Sequence, residues 1–195
     1  MLSVKKAVVL AVLAAAAGAA LDRPSSAAQA GHDVRAKAAG ILDALAKIKA
    51  QRGRPAADRR TLTFSEAEFN AYIACRLEDE NEPYVKRAEF KLLEANHVEG
   101  RVEVDLGDQK AAGLLPRRLE LLFSAGFESR DGRIRIDMDK LFLGSQPVAP
   151  AFVDLVIGVA SRLQGLEPTS LGDWYDLPPG VLGLETRPGQ VVVIY

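Results

Sequence analysis

The chain has one cysteine and two histidines, and this scarcity argues against several classes of site. A single cysteine, Cys75, cannot form an intramolecular disulfide, so the fold has to be held together by its apolar core. Cys75 lies in an apolar helical stripe, where a buried and unreactive thiol is expected rather than a nucleophile. His32 and His97 are not at metal-ligand spacing with each other or with the cysteine. We therefore expect no metal and no cofactor.

Sequence motifs of catalysis are also missing. The chain has no G-x-S-x-G turn, and no glycine-rich phosphate loop follows a predicted strand. Asp137 and Asp139 lie two residues apart on one strand face, where a buried pair of carboxylates would have altered pKa values. Arg133 and Arg135 share that row, however, and favour a solvated, ion-paired face. The sequence predicts no catalytic residues and a protein that is not an enzyme, with carboxylate catalysis in a cleft as the least favoured alternative.

Neither sign of charge is in excess, because 25 Lys and Arg stand against 26 Asp and Glu and the formal net charge is −1. A nucleic-acid-binding domain is expected to carry a basic stripe, so nucleic acid is not a predicted partner. One basic segment, Gln51–Arg60, has four arginines and no apolar period. We interpret it as a solvated linker, with peripheral contact to the anionic head groups of a membrane as the alternative.

The apolar run at the N-terminus is too short for a membrane span. Two lysines precede fifteen uncharged residues, Ala7–Leu21, whereas a spanning helix needs about 20. The motif Ala28-Gln29-Ala30 follows, which predicts a secretory signal peptide that is cleaved after Ala30. We therefore expect a periplasmic or secreted protein, with an uncleaved N-terminal anchor as the alternative.

Apolar residues at helical spacing predict three helices in the rest of the chain. The spacing indicates an amphipathic helix over about 32–51 and another over about 149–164. Between them, Ser65 and Glu68 form the capping-box pattern, in which each residue bonds the backbone N–H of the other. This pattern predicts a helix over about 66–77.

Alternation of apolar and polar residues predicts six strands, several of them joined by short turns such as Asp131-Gly132 and Pro188-Gly189. The predicted strands are 87–92, 101–106, 118–128, 133–139, 181–186 and 191–195. We expect an α+β fold in which a curved antiparallel sheet of about six strands, arranged as a meander, packs against two to three helices.

Three parts are expected along the chain. Residues 1–30 are the signal peptide, 31–60 are an N-terminal amphipathic helix with the basic linker, and 61–195 are a single α+β domain. We see no internal repeat or low-complexity tract after the signal.

Apolar residues are dense on Leu119–Phe127, and three more follow one another at Leu141–Leu143. Either the sheet is covered on both faces or it curls around an apolar space, and an ordinary two-layer core is the alternative. If the space holds a ligand, its walls are expected to be the apolar strand rows and the matching stripe of the later helix. The predicted wall residues are Leu121, Phe123, Phe127, Ile134, Ile136, Phe142, Phe152 and Val156.

The sole tryptophan belongs to a compact aromatic and acidic segment, Asp173-Trp174-Tyr175-Asp176. Such a segment either lines the mouth of a ligand site or closes the end of a core. We favour the second interpretation.

The order of these parts resembles that of a known family. Three segments carry the resemblance: Leu62–Tyr72 (LTFSEAEFNAY), Gly144–Pro147 (GSQP) before a helix, and Leu177-Pro178 before two closing strands. They are similar to motifs of the YpmS-like group of small bacterial envelope proteins and, more distantly, to LmeA-type periplasmic proteins, whose relatives have lipid-binding folds of the tubular kind. The similarity covers residues 62–195.

The resemblance implies an envelope protein with no active site to transfer. Asn70 carries over as the asparagine of the motif, as a hydrogen-bonding residue rather than a catalyst. The chain departs from the family at Gln146-Pro147, where a Leu-Pro pair is usual, and in having a predicted cleavable signal where an anchor is common.

Two functions follow as hypotheses. The first is an exported, non-enzymatic envelope protein that binds or transports a lipid or other apolar ligand in a groove between sheet and helices. The alternative is a structural or protein-interaction module of the cell envelope, with a solid core and no ligand, that docks on an envelope protein. A cavity of roughly 300–1,000 Å³ with apolar walls favours the first. A solid core with an exposed apolar patch favours the second.

Overall fold

Helices and antiparallel strands alternate along the chain, and the computed structural model describes residues 28–51, 59–80, 84–105, 118–163 and 170–195. The helices are α1 (Ala28–Ala50), α2 (Glu66–Asp79) and α3 (Ala151–Leu163). The strands are β1 (Thr61–Ser65), β2 (Val85–Leu92), β3 (His97–Asp105), β4 (Arg118–Arg130), β5 (Arg133–Leu143), β6 (Gln146–Pro147), β7 (Tyr175–Asp176), β8 (Gly183–Arg187) and β9 (Gln190–Ile194).

Most of the strands form one antiparallel sheet, in the order β2-β3-β4-β5-β6, and β7 also pairs with β5. This larger sheet curls into a half-barrel. Its buried side chains alternate with exposed or half-buried ones along β3 and most of β4, as the sequence pattern requires. The predicted α+β class and curved antiparallel sheet are confirmed.

The turn between β4 and β5 is the hairpin predicted at Asp131-Gly132. Both residues have positive φ, 52° and 73°, which is the geometry of a two-residue type I′ turn. Because the turn has two residues, the residues on either side of it, Arg130 and Arg133, lie directly opposite each other.

A second sheet of three strands, in the order β1-β9-β8, takes up the two closing strands. Strand β1 is not among the predicted strands, because only Leu62 and Phe64 mark its apolar positions and Ser65 also fits the start of a helix. Ser65 does both: it ends β1 and caps α2, with the predicted capping box fully formed. His97 is the first residue of β3.

Helix α1 belongs to the same core as the sheets. Ala38, Ile41 and Ile48 are buried in one apolar cluster with side chains of both sheets. Among the helices of the described ranges, none is long and apolar enough to cross a membrane.

The predicted signal peptide lies almost wholly outside the described residues, and so does most of the basic linker, at 52–58. Cleavage after Ala30 therefore stays a prediction, which N-terminal sequencing of the exported protein tests.

Candidate functional site

Six of the eight predicted wall residues belong to the apolar core, to which the inner face of the larger sheet, the smaller sheet and all three helices contribute. The inner face is the one whose side chains are buried. The six residues are Leu121, Phe123, Phe127, Ile134, Ile136 and Phe152. The predicted residues of the sheet and of the later helix thus lie in the same core.

Phe142 is not part of this face, which corrects the prediction that it shares a row with Ile136. The register between β4 and β5 shifts by one residue at a β-bulge that leaves Asp139 unpaired. Beyond the bulge the alternation of β5 is inverted, and Phe142 lies opposite Leu122 on the outer face. Both side chains line an open depression of about 540 Å³ there.

The middle of the inner face has two aromatic rings beside a glycine. Gly100 of β3 lies between Phe90 and Phe123 in the strand pairing, and the two rings are edge to face at 6.1 Å. A β-carbon on Gly100 would lie 2.2 Å from Cζ of Phe123. The ring therefore occupies the space that a side chain at position 100 would need.

Helix α3 is apolar on more than one side. Val153 and Ile157 are buried in the cluster, whereas Leu155 is 48% exposed. Asp154 accepts a hydrogen bond from the backbone N–H of Leu171 at 2.8 Å, which ties the first turn of the helix to the segment before β7. The side chain of the last predicted wall residue, Val156, lies outside the described part of the structure.

Two pockets in the core are lined by described residues, and both are small. One, of about 20 Å³, lies where the two sheets meet and has Phe69, Phe127 and Ile136 in its wall. The other, of about 40 Å³, lies between α1, α2 and the smaller sheet. Each has room for one or two water molecules, far less than the several hundred Å³ of a typical ligand site.

Polar side chains join the two sheets, and the sequence analysis did not anticipate them. The Ser129 hydroxyl donates to the carbonyl of Leu184 and accepts from its N–H, both at 2.7 Å. Asn96, with φ of 60°, accepts a hydrogen bond from Thr186 N–H at 3.0 Å. Ser129 is a polar residue at a position where the alternation of β4 places an inward side chain. This exception in the apolar row is the sequence feature that could have predicted the contact.

Helix α2 covers one end of the free edge of β2. Asn70 makes two hydrogen bonds with the backbone of Phe90, and the carboxylate of Glu66 accepts one from the N–H of Leu92 at 2.7 Å. A groove of about 640 Å³ continues along the same edge, lined in part by Ala74 and Ala88. The family motif's asparagine is thus a structural residue of the sheet edge.

Charged and polar groups are also buried on α2. Arg76 is 5% exposed, pairs with Glu80, and has an Nε atom without a hydrogen-bond partner. Burial raises the pKa of the Tyr72 phenol and of the Cys75 thiol, so both stay protonated near neutral pH. A protonated, buried Cys75 is chemically inert.

The carboxylates that were considered for catalysis lie on the solvated outer face. Asp137 and Asp139 are exposed, and Arg135 pairs with Glu128 at 3.0 Å rather than with either of them. Asp139 lies 3.6 Å from Nε2 of His97. Within the described ranges, no three His, Cys, Asp or Glu side chains converge as metal ligands.

No protein-family model, curated protein or solved structure matches the chain. The resemblance to YpmS-like and LmeA-type proteins therefore stays a hypothesis.

Proposed function

We propose that the protein is an exported, non-enzymatic envelope protein that binds an apolar chain, such as the acyl chain of a lipid, between α3 and the inner face of the larger sheet. The observation that carries the proposal is the convergence of predicted wall residues from β4, β5 and α3 in one apolar cluster on a curled sheet. Side chains such as Phe123, Ile134 and Ile157 supply apolar surface from the sheet and from the helix.

The form of α3 supports this function. A helix that only covered a core would be expected to show polar side chains outward, yet Leu155 is 48% exposed. Neither of the two small core pockets has a residue of α3 in its wall, so both lie outside the seam, the place between α3 and the inner face of the larger sheet that the proposal assigns to the ligand. The exposed leucine fits a helix that has apolar surface to offer on both sides.

A titration with a fluorescent fatty acid tests the proposal. We expect saturable binding that strengthens with chain length, by about 0.8 kcal/mol for each methylene buried, until the seam is full. Val153→Trp should weaken binding at least tenfold, because Val153 faces the cluster and the larger ring fills the seam. Leu155→Trp is the matched control on the same helix, because it faces solvent and should leave affinity unchanged.

Stability measured in parallel separates blocking of the seam from unfolding, since overpacking a solid core costs about 1–3 kcal/mol. The chain-length series uses unaltered protein, so it is informative even when Val153→Trp fails to fold. Absence of saturable binding for every chain length would overturn the proposal.

A second candidate, the protein-interaction module, is favoured by two observations. The two pockets described within the core hold only about 20 and 40 Å³, and Leu122, which is 36% exposed, lies opposite Phe142 on the outer face. An apolar pair of this kind on a solvated strand face is a docking point for a partner. Absence of acyl binding, together with loss of a co-purifying envelope protein in Leu122→Ser, would support this candidate.

A further inference from the structure

Three arginines surround the sole tryptophan at the tip of the β4–β5 hairpin. The Cζ atoms of Arg130, Arg135 and Arg133 lie 4.7, 5.3 and 5.8 Å from the centroid of the Trp174 ring. A guanidinium at this distance is attracted by the negative face of an indole. The ring thus holds three cations side by side on the outer face.

The strand register explains why these cations are crowded. Arg130 and Arg133 are direct cross-strand neighbours, an arrangement of like charges that destabilises a sheet. One carboxylate, Glu128, serves two of the arginines, at 3.5 Å from Arg130 and 3.0 Å from Arg135. Arg133 has no ion pair with any residue of the described ranges, so the cluster has more positive charge than its ion pairs neutralise.

Other carboxylates near the tip do not complete the pairing. Asp176 lies opposite Arg133 in the pairing of β7 with β5, and Asp131 is in the turn, but neither forms an ion pair with the arginines among the described residues. Asp173 accepts a hydrogen bond from the N–H of Ser170 at 3.0 Å. The side chain of Arg130 stays 61% exposed, and the donors that do not face Glu128 are available to an external anion.

An exposed apolar side chain lies at the same tip. The carbonyl of Leu182 accepts a hydrogen bond from Gly132 N–H at 2.9 Å, and this leucine is 40% exposed. Arginine binds phosphate oxygens with two parallel hydrogen bonds, and tryptophan prefers the boundary between head groups and acyl chains. A leucine beside them adds a side chain that can enter the acyl boundary.

We propose that this hairpin tip docks on an anionic phospholipid surface, with Arg130 and Arg133 binding lipid phosphates and Trp174 and Leu182 at the head-group boundary. The inference goes beyond the acyl-binding function and does not depend on it, because the tip and the seam use different residues. It places the protein against a membrane through a structured hairpin rather than through the basic linker.

Trp174 is the only tryptophan in the chain and reports on its own surroundings. We expect its emission to shift to the blue when the protein is titrated with vesicles of phosphatidylglycerol, and to stay unchanged with vesicles of phosphatidylcholine. The shift should weaken as salt is raised, because screening reduces the attraction. Arg130→Gln with Arg133→Gln should lower affinity about fivefold for each arginine, the factor that corresponds to roughly 1 kcal/mol.

The matched control is Arg87→Gln with Arg187→Gln, which removes the same charge from two exposed positions outside the hairpin and should leave the affinity for vesicles unchanged. Equal response to both vesicle types, or equal loss of affinity in the control, would overturn the proposal. So would the same emission shift with inorganic phosphate alone, since the site would then bind a free anion. Fatty-acid binding should be unaffected in the Arg130 and Arg133 variant, which keeps this result separate from the function of the seam.

Discussion

The side-chain amide of Asn70 makes both hydrogen bonds that a neighbouring strand would make with Phe90: its oxygen accepts from the backbone N–H and its nitrogen donates to the carbonyl, each at 2.7 Å. The free edge of a sheet is a site of unwanted pairing with other chains, and proteins cover or blunt it. Here a helix side chain covers the edge, and it also fixes α2 to the larger sheet.

Asn70→Ala should lower the free energy of unfolding by about 2 kcal/mol, because two part-buried backbone groups lose their partners. Denaturant titration measures the change. Asn70→Asp has the same shape but, when ionised, cannot donate to the Phe90 carbonyl. Its stability relative to the wild type should therefore improve as the pH falls and the carboxyl group becomes protonated. A denaturation midpoint for Asn70→Ala that equals the midpoint of the wild type would contradict the structural role of this contact.

The capping box at the start of α2 predicts a pH-dependent contribution to stability. The Ser65 hydroxyl and N–H both donate to the Glu68 carboxylate, at 2.6 and 2.8 Å, and they lower its pKa below the ordinary value of 4.5. Because the pKa of Glu68 is lower in the folded than in the unfolded protein, its contribution to stability is present above the unfolded pKa. The contribution is lost as the pH falls through the lowered pKa of the folded state.

Ser65→Ala should therefore cost about 1 kcal/mol near neutral pH, and the difference from the wild type should narrow below about pH 4.5. Thermal or denaturant unfolding across that pH range provides the measurement. Ser145→Ala, at an exposed turn position, is the control and should have no effect. A constant difference at every pH would show that Glu68 takes no part in the cap.

Gly100→Ala should destabilise the protein by about 1–3 kcal/mol, because the new methyl group overlaps the ring of Phe123. Gly126→Ala is the matched control, since its β-carbon would meet its nearest neighbour, the His97 ring, at an ordinary 3.5 Å. Adding Phe123→Leu to Gly100→Ala should cost less than the sum of the single changes, because leucine vacates the contested space. Strict additivity would contradict the placement of this ring over the glycine.

The elements that the sequence predicted well are those with local causes. The capping box of Ser65 and Glu68 and the turn at Asp131-Gly132 each specify a backbone geometry within a few residues, and both are present. The two-residue period of the strands predicted which side chains of each strand share a face. These short-range signals are enough for the fold class.

What the sequence analysis missed depends on relationships between distant segments. The bulge at Asp139 reversed the orientation of Phe142, and its only mark in the sequence is the break in alternation at the consecutive polar residues Asp139-Lys140. The arginine cluster was partly predictable, because a two-residue turn places Arg130 opposite Arg133. The approach of Trp174 depends on the pairing of β7 with β5, which is not encoded locally.

Native mass spectrometry of the protein purified from its own envelope tests the central claim, that the seam between α3 and the larger sheet holds an apolar chain. The account predicts a species heavier than the polypeptide by the mass of one acyl-chain lipid, which dissociates on denaturation and is reduced in Val153→Trp. The mass of the bare polypeptide alone, with no acyl compound released on denaturation, would contradict it.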